Sequence, residues 1–312
     1  MKRVLTAVIL IPLVVLALFL APMWLFTLLV LAVAILAARE FLGIVEADGF
    51  RPFRGLSYLF LVCGFLVQAS TFVTDWRLFQ NFGAAAFVAG MGALAVLLVS
   101  PLVLLVASMR RDPLAEALPD AAVSFMVLPY VGVTLSCMVT LRAMENGALF
   151  LLYVMLLVWT GDIAAFYVGR AIGKHKLALR VSPGKTWEGA IASVLGAVVA
   201  ALLLFHFLLP IYKGLIQLHL VSPYSVAMVP REPAPIWLVV FFAVCINVAA
   251  QLGDLVESAM KRGAELKDSG SLLPGHGGML DRIDALLFAL PVAILFYFAG
   301  LCVYLGTSII HS

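Results

Sequence analysis

Two apolar runs, residues 236–256 (IWLVVFFAVCINVAAQLGDLV) and 285–306 (ALLFALPVAILFYFAGLCVYLG), enclose a polar block at 258–284 (SAMKRGAELKDSGSLLPGHGGMLDRID). Each flank is long enough to cross a hydrocarbon layer of roughly 30 Å as a helix. Their apolar residues run on continuously rather than alternating. That selects helices, which satisfy their backbone groups internally, over the strands of a closed barrel. The block carries carboxylates, cations, a histidine and flexible glycines between two crossings, so it is expected at a membrane surface. The combination suits a magnesium-bound phosphate substrate with a lipid tail.

The rest of the chain has the same character. Of its 312 residues, 64% are hydrophobic and 12% charged, a balance that excludes a soluble domain. Apolar runs lie near 4–20, 23–38, 56–73, 83–107, 121–140, 149–169, 187–209, 236–256 and 285–306. They predict an all-α, polytopic integral membrane protein of about nine transmembrane helices. Met1-Lys2-Arg3 before an apolar run imitates a signal peptide, but a second run follows without a clear cleavage site, so a retained anchor is expected. A single membrane domain over 1–312 is expected. Residues 1–148, spans one to five, are poor in charge and scaffold-like; residues 149–312, spans six to nine, hold the chemistry, centred on 254–284.

Basic residues orient this arrangement. With the N-terminus cytoplasmic, 16 of the 20 Lys and Arg fall inside and only Arg77, Arg142, Lys213 and Arg231 fall outside. The polar block is then on the cytoplasmic face, where nucleotides are. Cys63, Cys137, Cys245 and Cys302 are scattered without paired spacing and read as small buried hydrophobes. The connection 210–235 contains five prolines and is expected to be irregular.

Asn247, Gln251, Asp254, Ser258 and Lys261 follow steps of +4, +3, +4 and +3, which puts them on one stripe of a helix. An aspartate at the centre of a span costs about 2.5 to 3.5 kcal/mol on translocon scales, so Asp254 is expected to point into protein or a wet cavity. The bland alternative is an aspartate at the helix end, paired with Lys261 or Lys185. Asp281 and Asp284 are three apart and share a face if the helix has begun by Asp281. Acids in a first helical turn also suit the macrodipole without any metal. Three carboxylates converging from two helix ends would make a hard oxygen site for one or two Mg²⁺ ions, which take their remaining ligands from water and phosphates.

Lys261, Arg262, Lys267 and Arg282 are candidate phosphate clamps, or else a positive-inside cluster that only sets topology. Gly275, Gly277 and Gly278 around His276 allow backbone N–H groups to approach an anion, and His276 is more readily a structural donor than a proton shuttle. Before span seven, Ser182-Pro183-Gly184-Lys185-Thr186-Trp187-Glu188-Gly189 imitates a phosphate loop, but a Walker A motif needs glycine where Leu179 stands. It reads as a second clamp through Ser182 and Lys185, or as ordinary helix entry. Asp162 is a further intramembrane acid, with Arg170 or a polar group of span eight as expected partner.

The run Ser258 to Asp284 resembles the signature of the phosphatidate cytidylyltransferase, or CDP-diacylglycerol synthase, family. It has the serine, Lys261-Arg262, Lys267-Asp268, the Pro-x-His-Gly-Gly segment and Asp281-Arg282-x-Asp284. Residues 182–189 and Gly161-Asp162 are also similar to family features. The resemblance covers about 150–290 clearly and the N-terminal half in layout only. It implies transfer of a cytidylyl group from CTP to phosphatidic acid, giving CDP-diacylglycerol and pyrophosphate with Mg²⁺. It also implies metal binding by Asp254 and Asp281 with Asp284 close by, and a homodimer. Lys267 joins Asp254 and Asp281 as a catalytic candidate. Ser182, Lys185, Ser258, Lys261, Arg262, Asp268, His276, Gly277, Gly278 and Arg282 are the substrate-binding candidates. Membrane lipids surround the chain, a bacterial inner membrane is its expected location, and no nucleic-acid partner is expected. A CTP-dependent lipid kinase is the nearer alternative. A transporter lined by Asp162 and Asp254 is the more distant one, disfavoured by the absence of an inverted repeat.

Overall fold

Helix is the only local structure that closes the backbone hydrogen bonds of these apolar runs within each run, and the chain follows that constraint almost throughout. The computed structural model describes residues 12–73, 82–144, 146–220, 235–270 and 277–310. Residues 12–20 are helical and are followed, after Ala21-Pro22, by α1 (Met23–Ala47), α2 (Arg54–Val73) and α3 (Phe82–Ser108). A 3₁₀ turn at Leu114–Glu116 leads into α4 (Ala117–Val127), a π turn at Leu128–Val133 and α5 (Thr134–Ala143). Pro129 sits inside that π turn; its missing N–H and its ring widen the helix there. Then come α6 (Gly147–Ile172), a short hairpin of β1 (Lys176–Ala178) and β2 (Ser182–Thr186), and α7 (Trp187–His206). The chain continues through α8 (Leu208–Gln217), α9 (Ile236–Gly263) and α10 (Leu280–Ile310).

Seven helical segments among the described residues are long and apolar enough to cross a membrane: Met23–Ala47, Gly90–Ser108, Leu114–Ala143, Gly147–Ile172, Trp187–His206, Ile236–Gly263 and Leu280–Gly300. The stretch Arg54–Ser70 within α2 is a shorter apolar segment. The span expected at 4–20 begins among residues outside the described set. The protein is all-α and polytopic.

Three boundaries differ from expectation. Helix α1 continues to Ala47 rather than stopping at 38, because Arg39 and Glu40 are good helix formers and Phe41, Leu42, Ile44 and Val45 beyond them are buried. Helix α9 runs to Gly263, carrying Ser258, Lys261 and Arg262 as helical residues. The expected irregular connection starts with α8, where Pro210 occupies the first turn and its absent N–H costs no intrahelical bond. Of the cysteines, Cys137 is buried while Cys63 and Cys245 are only half-buried.

The chain forms two compact units. One contains Ala21–Val139 and Met260–Ile283; in it α1 packs on α2, α2 on α3 and α3 on α4, around Phe26, Val30, Ala34, Leu61 and Phe65. The ring of Phe41 meets that of Tyr130 at 5.5 Å between centroids. The other contains Thr140–Ala259 and Asp284–Ser312, with α6 packed along α7. There Phe242 of α9 stacks on Tyr153 at 5.7 Å and meets Phe296 of α10 edge-on at 5.1 Å.

Within the second unit, close backbone approach depends on glycine. A Cβ at Gly253 would stand 2.4 Å from the Asp284 carbonyl oxygen, a group that cannot swing away. A Cβ at Gly64 in α2 would meet nothing within 4 Å. Gly253→Ala should therefore cost about 1–3 kcal/mol through overpacking. Gly64→Ala should be neutral or stabilise by about 0.4–1 kcal/mol, because the unfolded chain loses freedom. Thermal midpoints of the two purified variants in one detergent check both signs.

Candidate active site

In the unit built on α6, α7 and the body of α9, the polar stripe turns into protein rather than toward lipid. The Asn247 amide donates to Ser193 Oγ at 3.1 Å; the Gln251 amide donates to Asn247 Oδ1 at 2.7 Å and to the Ala190 carbonyl at 3.2 Å. Gly161 makes room for this, since a Cβ there would lie 2.1 Å from Asn247 Nδ2. One turn further along α9, Asp254 Oδ2 pairs with Lys185 Nζ at 2.7 Å, and its Oδ1 accepts a long bond of 3.3 Å from the Ser258 hydroxyl. The Asp254 side chain is still 40% exposed. Asp162 of α6 is exposed and within electrostatic range of Asp254 and Lys185, so of the two expected partners it is the polar group of span eight, Asp254, that lies near it, together with Lys185.

Lys185 owes its position to the hairpin. Antiparallel pairing sets Lys176 opposite Thr186 and Ala178 opposite Ser182. Thr186 then caps α7, its Oγ1 accepting from the Gly189 N–H at 3.2 Å. Glu188, in the first turn, accepts from the His175 backbone N–H at 3.2 Å and lies 2.7 Å from its Nδ1. The segment 182–189 thus serves as a helix entry and as the carrier of a cation.

In the other unit, Asp281 stands in the first turn of α10 with its side chain only 11% exposed. Its Oδ1 takes the Lys261 ammonium at 2.5 Å. Its Oδ2 accepts from the Gly278 N–H at 2.7 Å, the Ser269 N–H at 3.0 Å and the Ser269 hydroxyl at 3.0 Å. Gly277 has φ +77°, a conformation suited to glycine, and a Cβ there would lie 2.5 Å from Asp281 Oδ2. Glu40 of α1, which sequence reasoning missed, closes the same loop: it accepts from the Ser269 hydroxyl at 2.8 Å, Met279 N–H at 2.9 Å and Leu280 N–H at 2.7 Å. The signal available in the sequence was a carboxylate inside a helix-forming, largely apolar segment.

The remaining candidates are more peripheral. Arg262 donates to the Leu266 carbonyl at 3.1 Å and is exposed, as are Lys267, Asp268 and Arg282. Asp284 lies three residues beyond Asp281 in α10, so the helix has begun early enough for the expected spacing to apply. Its Oδ1 accepts from the Ala285 N–H at 2.8 Å. His276 lies outside the described residues.

The donor chemistry fits a divalent cation of the hard kind. Asp254 keeps acceptor capacity on a partly open carboxylate, and Asp281 offers a second carboxylate whose Oδ1 is held by an ammonium rather than by a backbone group. Within neither unit do three or more His, Cys, Asp or Glu side chains come together as an ion site among the described residues. Mg²⁺ does not require that, because it binds through one or two carboxylates and completes its shell with water and phosphate oxygens.

The cytidylyltransferase family model matches residues 1–299. A phosphatidate cytidylyltransferase of Haemophilus influenzae is 35% identical over 312 residues, covering 95% of this chain and 98% of that protein. Phosphatidate cytidylyltransferases of Staphylococcus epidermidis and Bacillus subtilis are 36% and 34% identical over 173 and 163 residues, about half of either chain in each case. With a match that runs through nearly all of its length, the chain belongs to the cytidylyltransferase family.

Proposed function

We propose that the protein transfers the cytidylyl group of CTP to phosphatidic acid, forming CDP-diacylglycerol and pyrophosphate, with Asp281 at the centre of the reaction. The observation that carries the assignment of the site is the Asp281 carboxylate, fixed by two backbone N–H groups, a hydroxyl and Lys261 inside the signature loop. The near full-length likeness to the Haemophilus enzyme supports the substrate pair.

An oxygen of the lipid phosphate bonds to the α-phosphorus of CTP while the bond from that phosphorus to the bridging oxygen of the β-phosphate breaks, and pyrophosphate leaves with the electron pair. The attacking phosphate is already ionised, so no side chain acts as nucleophile or needs to remove a proton. Catalysis is then a matter of holding two anions in line and balancing their charge. Asp254 and Asp281, with Asp284, are assigned to hold Mg²⁺, one ion or two. When bound it would offset the triphosphate charge and stabilise the departing pyrophosphate. Lys185 and Lys261 each sit against one of those carboxylates and supply mobile point charges. Exposed Arg262, Lys267 and Arg282 are assigned to phosphate oxygens, Ser182, Ser258, Gly277 and Gly278 to substrate positioning, and Asp268 and His276 to the same loop.

The 16-to-4 distribution of basic residues supports placing this chemistry on the cytoplasmic face of a bacterial inner membrane, N-terminus inside. The family resemblance supports a homodimer, which native mass spectrometry of the detergent-solubilised protein should show at twice the chain mass of 33.6 kDa.

Mass identification of the products from CTP and phosphatidate should give CDP-diacylglycerol and pyrophosphate. CDP together with a phosphorylated lipid alcohol would establish a kinase instead, and solute flux without CTP a transporter. Asp281→Asn should lower kcat by about a hundredfold or more, the scale seen when a preorganised charge at the reacting centre is lost. Near-normal pyrophosphate release by that variant at saturating Mg²⁺ would remove Asp281 from its assigned role.

A further inference from the structure

We infer that Glu40, on α1 and far from the signature in sequence, is a positioning residue for the reaction: its carboxylate sets the loop that aims donors at Asp281. This rests on the reading of Asp281 given above.

Both oxygens of Glu40 are committed to that loop. Oε1 accepts from the Met279 N–H, and Oε2 accepts from the Leu280 N–H and the Ser269 hydroxyl. Leu280 begins α10 and Met279 precedes it, at the end where the leading N–H groups have no partner inside the helix. A cap of that kind is normally supplied by a Ser, Thr, Asp or Asn next to the helix start. Here the residue before the helix is Met279, and the acceptor comes from a helix 239 residues away in the chain. The cap therefore doubles as a tether.

The neighbours of Glu40 are shaped to admit it. A Cβ at Gly278 would lie 2.2 Å from Glu40 Oε2, and one at Gly270 would lie 2.7 Å from Oε1. The glycines at 270 and 278 thus leave room for a carboxylate, beyond any approach they allow to an anion.

The link to chemistry runs through Ser269 and Gly278. The Ser269 hydroxyl lies 2.8 Å from Glu40 Oε2 and 3.0 Å from Asp281 Oδ2, and its single proton serves one of them at a time. Gly278, packed against Glu40, donates its N–H to the same Asp281 oxygen. Moving Glu40 moves two of the three donors on Oδ2 without touching substrate. A misplacement of about 1 Å at a reacting group costs up to about a hundredfold in rate.

The test uses the purified full-length chain with CTP and phosphatidate in mixed micelles. Glu40→Gln keeps the side-chain shape but turns an amide N–H toward donors. It should lower kcat about tenfold or more, leave both KM values within about threefold, and keep the thermal midpoint within a few degrees. Glu40→Asp, which keeps the charge on a shorter stem, should recover part of the loss. Ser269→Ala should cost much less in the Glu40→Gln background than in the parent, because both act on one carboxylate. A folded Glu40→Gln variant with kcat within about twofold of the parent, or losses from Glu40→Gln and Ser269→Ala that simply multiply, would overturn the inference. Should Glu40→Gln not fold, Ser269→Ala decides alone: unchanged kcat refutes the coupling, and reduced kcat at unchanged KM supports it. Asp281→Asn assayed in parallel separates the two levels. An active Asp281→Asn sinks the reading of the site, whereas an inactive Asp281→Asn beside an active Glu40→Gln sinks only the role of Glu40.

Discussion

A carboxylate at the end of an apolar helix has to be met by donors from the protein itself, because little bulk water is there to solvate it. Asp281 shows how far that requirement reaches. To give one carboxylate these four donors, the chain ends α9 at Gly263, two residues after Lys261, brings in Ser269, and presents Gly278 just before α10 begins. Part of this arrangement is itself held: Ser269 by Glu40, and the start of α10 by the same Glu40. The nearly buried Asp281 carboxylate thus follows the rule that governs apolar interiors, in which a buried polar group is given partners.

The Asp254 side follows the same logic with a different backbone solution. Here the donors come from a helix stripe and a hairpin. Asn247, Ser193 and Gln251 form a connected amide and hydroxyl chain beneath Asp254, and glycine at 161 lets the helix carrying it come close enough. A side chain at that position would push the Asn247 amide off Ser193. Lys185 is delivered from the opposite direction by two short strands, whose register is fixed by pairing at Lys176 with Thr186 and at Ala178 with Ser182. A phosphate clamp and ordinary helix entry were the alternatives read from the sequence for this segment. The structure has the helix entry, with Thr186 as its cap, and its neighbour Lys185 faces Asp254.

Much of this was legible beforehand for a physical reason: periodicity is a local property. The stripe from Asn247 to Ser258 follows from helix geometry alone, and so does the inward turn of its polar groups once lipid is the alternative. What local reasoning could not supply was contact across long separations. Glu40 reads as an ordinary acid after an apolar run, and its partners at 269, 279 and 280 are more than two hundred residues away. The end of α1 was misplaced for a related reason. Arg39-Glu40 looked like the polar edge of a span, when one member of the pair is a tether and the helix continues through buried Phe41 and Leu42. The break between α7 and α8 escaped notice because residues 207–209 are as apolar as those before them, and hydropathy does not report a change of direction.

Charge balance connects the two carboxylates to the proposed chemistry. Each has a lysine ammonium against one oxygen, at 2.7 Å for Asp254 and 2.5 Å for Asp281. Arginine in those places would form a planar fork and hold the carboxylate in one geometry. Lysine is a compact charge on a four-carbon stem and can turn from one anion to another at small cost. On the proposed reading, Asp254 and Asp281 would hold a divalent cation that offsets phosphate charge, and the two lysines would be able to turn toward phosphate oxygens. The ammonium of Lys261 gives the nearly buried Asp281 a counter-charge before any substrate binds. Glu40 and Lys261 differ in that respect: the first holds the backbone and hydroxyl donors that face Oδ2, and the second is a single flexible charge at Oδ1.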